Sequence, residues 1–139
     1  AWMRPQNDGN PYRYGEFDIV EYFGDEVIAR QTVHSHRSVN FAKKDIPYSF
    51  NTIVDDRDNW HIYALDWMPS YIKTFIDGKI TGCYIKSSDS QKLNEGQWTF
   101  DRAFFIILNQ SVGYGKWYPP CLYDTYETQF DWVRVYKIK

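Results

Sequence analysis

Long apolar runs, cysteines and an excess of charge of one sign are all scarce in this 139-residue chain. No apolar stretch reaches the roughly 18 residues that a membrane-spanning helix needs, so no membrane span is predicted. Sixteen basic residues stand against 18 acidic ones, a formal net charge of −2, which argues against a nucleic acid or other polyanion held by bulk electrostatics. No segment shows the apolar period of an amphipathic helix, and this absence favours an all-β protein.

The two cysteines, Cys83 and Cys121, stand in neither a C-x-x-C nor a Cys/His zinc pattern. They permit one disulfide bond in an oxidising compartment, or none. No cluster of His, Cys and Asp has the spacing of a catalytic metal site. Ser35 beside His34 does not indicate a serine hydrolase, because no G-x-S-x-G segment occurs. The sequence therefore predicts no cofactor for catalysis.

Aromatic residues are abundant, at 19% of the chain, with 6 Trp and 12 Tyr. Aromatic faces pack on the C–H faces of pyranose rings, so this excess suits sugar binding. The cores of β-sandwiches also use aromatic residues. Composition leaves both interpretations open.

The most informative segment is 16–21, EFDIVE, which reads E-x-D-x-x-E. Its Phe, Ile and Val residues favour a strand, on which Glu16 and Asp18 point to the same face. Glu21 would point to the other face unless a β-bulge at Ile19-Val20 restores the phase. We predict this bulge and three carboxylates on one face; a solvated acidic strand is the alternative. Grouped carboxylates have pKa values that move apart, as glycoside hydrolysis requires of its nucleophile and its general acid.

Strands are predicted along most of the chain. Their ranges are 16–23, 30–37, 60–67, 71–76, 80–85, 103–109 and 130–137. Asp77-Gly78 predicts a two-residue hairpin turn, since Gly78 supplies a positive φ. The remaining long segments, 4–15, 38–59, 87–96 and 112–125, are predicted to be loops or irregular, with a short helical turn allowed in 87–96. The expected class is all-β and antiparallel, with Greek-key or meander connections.

Several blocks of the sequence resemble glycoside hydrolase family 16, the laminarinase-type enzymes whose active-site strand carries a bulge. Besides the acidic run, they are AWMRP at 1–5, WHIYALDW at 60–67 with the following I-x-x-x-x-D-G at 72–78, FFIILN at 104–109 with VG at 112–113, and FDWVRVY at 130–136. The resemblance implies a concanavalin A-like β-jelly-roll sandwich and an endo-acting, retaining β-glycan hydrolase. It implies β-1,3- or mixed β-1,3/1,4-glucan as the polysaccharide substrate. An endo-β-galactanase or agarase-type hydrolase and a non-catalytic carbohydrate-binding sandwich are the alternatives.

The resemblance also implies roles for single residues. Glu16 corresponds to the nucleophile, Asp18 to the carboxylate that tunes the pair, and Glu21 to the general acid/base. His34, on the next predicted strand, would hydrogen-bond an acid or a sugar hydroxyl, or else be structural. Asn109 would lie close to the cleft, although it also begins an N-glycosylation sequon.

Roles are also predicted for six aromatic residues and one aspartate. Three aromatic residues are candidate sugar platforms: Tyr14, Trp98 and Trp117. Three further tryptophans are predicted to pack in the core or on a sheet: Trp60, Trp67 and Trp132. Asp131 begins the last predicted strand, where the resemblance implies a ligand of a structural calcium ion; a plain strand-start aspartate is the alternative. Calcium takes about 6–8 oxygen ligands.

The resemblance begins at what looks like an interior strand of the family fold. Residues 1–139 are therefore interpreted as a single, partial catalytic domain that lacks its N-terminal strands. A missing segment or a second chain would complete the fold, and without it apolar faces and sheet edges would stay uncovered. The resemblance implies an extracellular, cell-surface or periplasmic location.

Overall fold

A computed structural model describes residues 1–7, 9–10, 13–43, 48–111 and 125–137. The chain divides into two compact units, Ala1–Leu108 and Asn109–Lys139. The first contains all the helices and strands assigned in the described residues. These are β1 (Trp2–Pro5), β2 (Gly15–Glu21), β3 (Ile28–Ser35), α1 (His36–Asn40), β4 (Ser49–Ile53), β5 (Tyr63–Trp67), β6 (Tyr71–Ile76), β7 (Lys79–Ile85), α2 (Ser90–Asn94) and β8 (Phe104–Ile107). No helix in the described part of the chain is long and apolar enough to cross a membrane.

The strands of the first unit form two antiparallel sheets, as the sequence predicts. The larger sheet has the order β4-β3-β2-β1-β8, and the smaller has the order β5-β6-β7. Neither sheet closes on itself, so each keeps two edge strands. β2, which carries the acidic run, lies at the centre of the larger sheet between β1 and β3.

The hairpin between β6 and β7 confirms the turn predicted from Asp77-Gly78. Asp77 has φ of 50° and Gly78 has φ of 76°. Positive φ at both central residues is the type I′ geometry, whose twist matches that of the flanking strands. β6 therefore pairs with β7 from Tyr71 opposite Ile85 to the turn.

The main core lies between the two sheets of the first unit. Phe17 and Val33 project into it from the larger sheet, and Ile72 and Tyr84 from the smaller. The ring of Phe17 lies 4.6 Å from that of Phe100, centroid to centroid. Fully burying one such side chain contributes about 1.5–3 kcal/mol. Phe17 follows Glu16 in sequence, so its burial turns the acids of β2 to the opposite face of the sheet.

The strand predicted at 30–37 ends at Ser35, and His36 begins α1. Two longer segments also differ from their prediction. The segment 38–59 is not irregular, because it contains β4 and most of α1. Ser35 caps α1, accepting a hydrogen bond from the Ser38 N–H, and β4 is held by pairing with β3. The predicted strand 130–137 is absent: residues 125–137 form neither strand nor helix. A strand needs a neighbour to complete its hydrogen bonds, and no described residue pairs with this segment.

Two tryptophans predicted to pack in the core or on a sheet are exposed instead. Trp60 precedes β5 and is 66% exposed, and Trp132 is 46% exposed, with the Arg134 guanidinium 4.5 Å from its ring. Trp67 does pack against Phe17, at 5.3 Å between ring centroids. Trp60 and Trp132 are exposed for the same reason, since neither lies on a strand that pairs within a sheet.

The expectation of uncovered apolar surface is confirmed. On the edge strand β8, Phe105 and Ile106 are both exposed, and so is Phe130 in the second unit. Cys83 on β7 is a free thiol, and Cys121 lies outside the described residues.

Candidate active site

The predicted bulge is present on β2. The backbone N–H groups of Ile19 and Val20 both donate to the Ala1 carbonyl, at 2.9 and 3.0 Å. On the other side, Asp18 pairs with Thr32 and Glu21 pairs with Arg30, so three steps along β2 match two along β3. One extra residue of β2 is therefore accommodated opposite β3, which is the defining feature of a β-bulge.

A buried glutamine supports the bulge from the core side. The Gln31 side-chain amide donates to the Ile19 carbonyl at 2.9 Å and to the Phe75 carbonyl of the smaller sheet at 3.3 Å. The Thr81 hydroxyl donates to the Gln31 side-chain oxygen. Gln31 was not among the predicted site residues. The sequence does hold an indication of this role: Gln31 is a polar residue that alternates along β3 with the buried residues Ala29 and Val33. A bulge can explain a buried polar side chain there, because the bulge leaves a backbone carbonyl without a partner in the sheet.

Because of the bulge, the side chains of the three acids point to the same face of the sheet. Glu16 pairs with His34, Asp18 with Thr32 and Glu21 with Arg30. Residues directly opposite in an antiparallel pair share a face, so the three carboxylates lie on the face away from Phe17. Asp18, in the middle, is only 4% exposed.

His34 joins two of the acids. Its Nε2 lies 2.9 Å from Oδ2 of Asp18 and 3.8 Å from Oε1 of Glu16. Burial lowers the pKa of His34, but the contact with Asp18 and the charges of the three acids outweigh it and raise the pKa overall. Oδ2 of Asp18 is buried and accepts no well-aligned hydrogen bond among the described residues. When it is protonated, His34 places a positive charge 2.9 Å from this oxygen, as the sequence predicts for a histidine that contacts an acid.

Tyr14 contacts the carboxylate of Glu16 directly. Its hydroxyl donates a hydrogen bond of 2.7 Å to Oε2 of Glu16. Burial and this hydrogen bond raise the pKa of Tyr14, so the hydroxyl stays protonated and remains a donor. Nε of Arg4 lies 4.0 Å from the same oxygen, and its guanidinium lies 5.7 Å from the Tyr14 ring centroid. Tyr14 thus contacts an acid, a role that the prediction of a sugar platform did not include.

The environment of Glu21 shifts the pKa of its carboxyl group. Burial first, and the negative charge of Asp18 second, raise the pKa of Glu21 to about 7. A carboxyl group with this pKa is protonated in a large fraction of molecules at neutral pH, so it can donate a proton. The strand therefore carries a carboxyl group suited to be an acid on the same face as Glu16.

The three other candidate sugar-binding residues lie in different parts of the chain. Trp98 as a sugar platform is wrong: it is 8% exposed and lies in the core, with its ring 5.3 Å from Phe100 and 6.3 Å from Tyr84. Asn109 belongs to the second unit, where its amide donates to the Ser111 hydroxyl at 2.9 Å. Trp117 lies outside the described residues.

One cluster in the described residues could supply three ligands to a metal ion. Potential ligand atoms of Glu16, Asp18 and His34 lie within 4.8 Å of one another, a grouping that the sequence spacing did not indicate. Asp131 belongs to no such cluster among the described residues. The structural calcium ion expected at Asp131 stays a prediction.

Comparison with known proteins decides the family. Residues 1–106 match the model of glycosyl hydrolases family 16. The chain belongs to this family. It is similar to a keratan-sulfate endo-1,4-beta-galactosidase of Sphingobacterium multivorum, at 29% identity over 99% of this chain and 32% of the relative. It is also similar to a glucan endo-1,3-beta-glucosidase of Cryptopygus antarcticus, at 30% identity over 81% of this chain and 43% of the relative.

The fold matches that of solved structures of the family. A laminarinase from Flavobacterium sp. UMI-01 aligns with a TM-score of 0.57 and 25% identity, over 74% of this chain and 43% of that chain. This likeness confirms the predicted jelly-roll class. The family 16 chain spans 32% of the length of the first of these curated relatives and 43% of the second.

Proposed function

We propose that this family 16 chain provides the catalytic strand of an endo-acting, retaining β-glycan hydrolase. The observation that carries the proposal is the bulged strand, with Glu16, Asp18 and Glu21 on one face and the pKa of Glu21 raised to about 7. Two carboxyl groups in different protonation states are what glycoside hydrolysis by double displacement uses.

The reaction runs in two steps. In the first, Glu21 donates its proton to the glycosidic oxygen while the Glu16 carboxylate attacks the anomeric carbon, so the leaving sugar departs and a glycosyl-enzyme ester forms. In the second, Glu21, now ionised, takes a proton from water as the water attacks the same carbon. The ester bond to Glu16 breaks, and Glu21 is protonated again. Each carbon–oxygen exchange inverts the anomeric centre, so two exchanges retain its configuration.

The residues around the two acids have supporting roles in this proposal. Tyr14 holds one oxygen of Glu16 by its hydrogen bond, which leaves Oε1 for attack. The charge of Asp18 keeps Glu21 protonated at a higher pH than burial alone would. In its protonated form, His34 balances the charge of Asp18 from 2.9 Å.

The proposed substrate is a β-1,3- or mixed β-1,3/1,4-glucan. Similarity to the glucan endo-1,3-beta-glucosidase over 81% of the chain supports it. A β-galactan is the second candidate, supported by similarity to the keratan-sulfate endo-1,4-beta-galactosidase over 99% of the chain. Both substrates are extracellular polysaccharides, so the proposed place of action is outside the cytoplasm. A structural calcium at Asp131 is not part of the proposal.

The test is release of reducing ends from a panel of polysaccharides: laminarin, mixed-linkage β-glucan, a β-1,4-galactan, agarose and keratan sulfate. Endo action predicts a mixture of oligosaccharides early in the reaction and a rapid fall in viscosity. The Glu16→Gln variant is the control for contaminating hydrolases. Binding without release of reducing ends from any member would contradict the proposal and favour a carbohydrate-binding sandwich.

A further inference from the structure

His34 faces two acids through the same ring nitrogen. Its Nε2 lies 2.9 Å from Oδ2 of Asp18 and 3.8 Å from Oε1 of Glu16. In a four-coordinate zinc site, ligand atoms at about 2.0–2.1 Å from the metal stand about 3.3 Å from one another. The two contacts of Nε2 lie on either side of this spacing, and potential ligand atoms of all three residues lie within 4.8 Å of one another. Modest side-chain movements therefore bring the three atoms to metal-ligand distances.

The carboxylate of Asp18 has an acceptor oxygen directed at this cluster. Asp18 is 4% exposed, and its Oδ2 is buried without a hydrogen-bond partner among the described residues. The contact with Nε2 of His34 is close but is not aligned as a hydrogen bond. Most buried polar atoms in folded proteins have a partner, and an oxygen without one costs free energy. A cation bound between Asp18 and His34 satisfies this oxygen.

Glu16 divides its two oxygens between different neighbours. Tyr14 donates its hydrogen bond to Oε2, and Nε of Arg4 lies 4.0 Å from the same oxygen. Oε1 is the oxygen that faces Nε2 of His34, so the contacts of Oε2 do not compete for it. The charge of Arg4 opposes a bound cation, but the two carboxylates that face Nε2 carry more charge of the opposite sign.

One imidazole nitrogen and two carboxylate oxygens suit one class of cation. Zn²⁺ is bound by His nitrogen and by Asp or Glu oxygen, and a site with three protein ligands leaves its fourth position to water. Calcium takes about 6–8 oxygen ligands and magnesium an octahedron of oxygens, so neither ion matches this ligand set. Imidazole favours zinc and its neighbours among the transition metals. The cluster therefore selects a zinc-like ion over the alkaline-earth ions.

We propose that Glu16, Asp18 and His34 bind a zinc-like divalent ion, and that this ion excludes the glycan from the catalytic strand. The ion coordinates Oε1 of Glu16, the oxygen that the proposed function assigns to attack on the anomeric carbon. It therefore acts as a reversible inhibitor and not as a cofactor of hydrolysis. Binding of the ion depends on the three ligands alone, whereas inhibition rests on the proposed function.

Isothermal titration of the chain with Zn²⁺ measures the site without any glycan. An ion at Nε2 of His34 takes the place of a proton, so the titration is run at mildly alkaline pH. One ion should bind per chain, and Ca²⁺ or Mg²⁺ in about tenfold excess should not displace it. Three near-isosteric variants each remove one ligand and should each weaken binding by at least about tenfold, a difference of about 1.4 kcal/mol. They are Glu16→Gln, Asp18→Asn and His34→Gln.

His61→Gln is the matched control, because His61 also lies between two acids. Its Nδ1 lies 2.8 Å from Asp77 and its Nε2 lies 3.5 Å from Asp56. The two acids face different ring nitrogens, so one ion cannot coordinate all three residues, and His61→Gln should leave the affinity for Zn²⁺ unchanged. Circular dichroism melts identify any variant that does not fold, and the other ligand variants then carry the test.

Inhibition is measured on whichever polysaccharide the chain hydrolyses. Zn²⁺ should raise the apparent KM and leave kcat unchanged, and a chelator should restore the full rate. Absence of saturable binding, binding that survives the ligand variants, or a loss of kcat with KM unchanged would overturn the inference. Hydrolysis without zinc binding removes the metal site and leaves the hydrolase. Zinc binding through the three ligands in a chain that cleaves no glycan keeps the site and removes the hydrolase.

Discussion

The hydroxyl of Tyr14 lies 2.7 Å from Oε2 of Glu16, the shorter of two polar contacts that hold this oxygen. The two residues are separated by one position, Gly15, at the start of β2. A Cβ on Gly15 would lie 3.1 Å from atoms of Phe100 and Thr99. Close packing at Gly15 therefore fixes the strand at the point where tyrosine and acid meet.

This contact predicts that Tyr14→Phe lowers kcat/KM by about tenfold without unfolding the chain. A hydrogen bond to a charged group contributes about 1.5–3 kcal/mol, and the phenyl ring preserves the packing. Kinetics with a circular dichroism melt provide the measurement. Tyr71→Phe, on β6 of the smaller sheet, is the matched control. Unchanged kcat/KM in Tyr14→Phe would show that the hydrogen bond has no part in catalysis.

Both proposed catalytic acids should be indispensable. Glu16→Gln and Glu21→Gln should each lower kcat by at least about a hundredfold, since nucleophile and acid/base both act in the chemical step. Glu26→Gln, which removes a carboxylate paired with Arg30, should leave kcat within about twofold. Azide should partly restore turnover in Glu16→Ala by attacking the anomeric carbon in place of the missing carboxylate. Substantial turnover in either Gln variant would exclude these roles.

The pKa of Glu21 predicts the alkaline side of the pH profile. Glu21 must be protonated to act as an acid, so kcat/KM should fall as the pH rises through about 7. The charge of Asp18 raises this pKa, so Asp18→Asn should move the fall to lower pH. The shift should be partial, because burial is the larger cause. Asp25→Asn is the control, and a fall that stays in place or moves to higher pH in Asp18→Asn would contradict the coupling.

The bulge should depend on Gln31. Gln31→Met keeps the approximate volume but leaves the Ile19 carbonyl and the Thr81 hydroxyl without this partner. Each buried polar group that loses its partner costs about 1–3 kcal/mol, so the free energy of unfolding in urea should fall by that order. Because Glu21 follows the bulge, kcat should fall too. Gln91→Met on α2 is the control. An unchanged urea midpoint and kcat in Gln31→Met would show that Gln31 does not hold the bulge.

The bulge was predictable from the spacing of the three acids together with the resemblance of the flanking blocks to family 16, although a solvated acidic strand was the alternative. Side chains on a strand repeat every two residues, so Glu21 could join Glu16 and Asp18 only through one inserted residue. The hairpin at Asp77-Gly78 was predictable for a similar local reason, since its turn geometry requires the residues found there.

Other features depend on partners that the sequence does not identify. β4 forms because β3 offers it an edge, whereas 130–137, which has a better strand pattern, has no partner among the described residues. Trp98 looks like a sugar platform in sequence, yet it is buried because the segment after α2 crosses the core. The pairing of β1 with β8 places Arg4 opposite Phe105, which lies 101 positions later in the chain, and no local pattern indicates this contact.

The stereochemistry of the first product distinguishes hydrolysis through a glycosyl-enzyme from a single displacement by water. Proton NMR can follow the anomeric signals during the first minutes of hydrolysis of whichever polysaccharide the panel identifies. Catalysis by Glu16 and Glu21 through a glycosyl-enzyme predicts that the β-anomer of the new reducing end accumulates first and then mutarotates to the equilibrium mixture. First appearance of the α-anomer would mean a single displacement, and would contradict the assignment of Glu16 as the nucleophile.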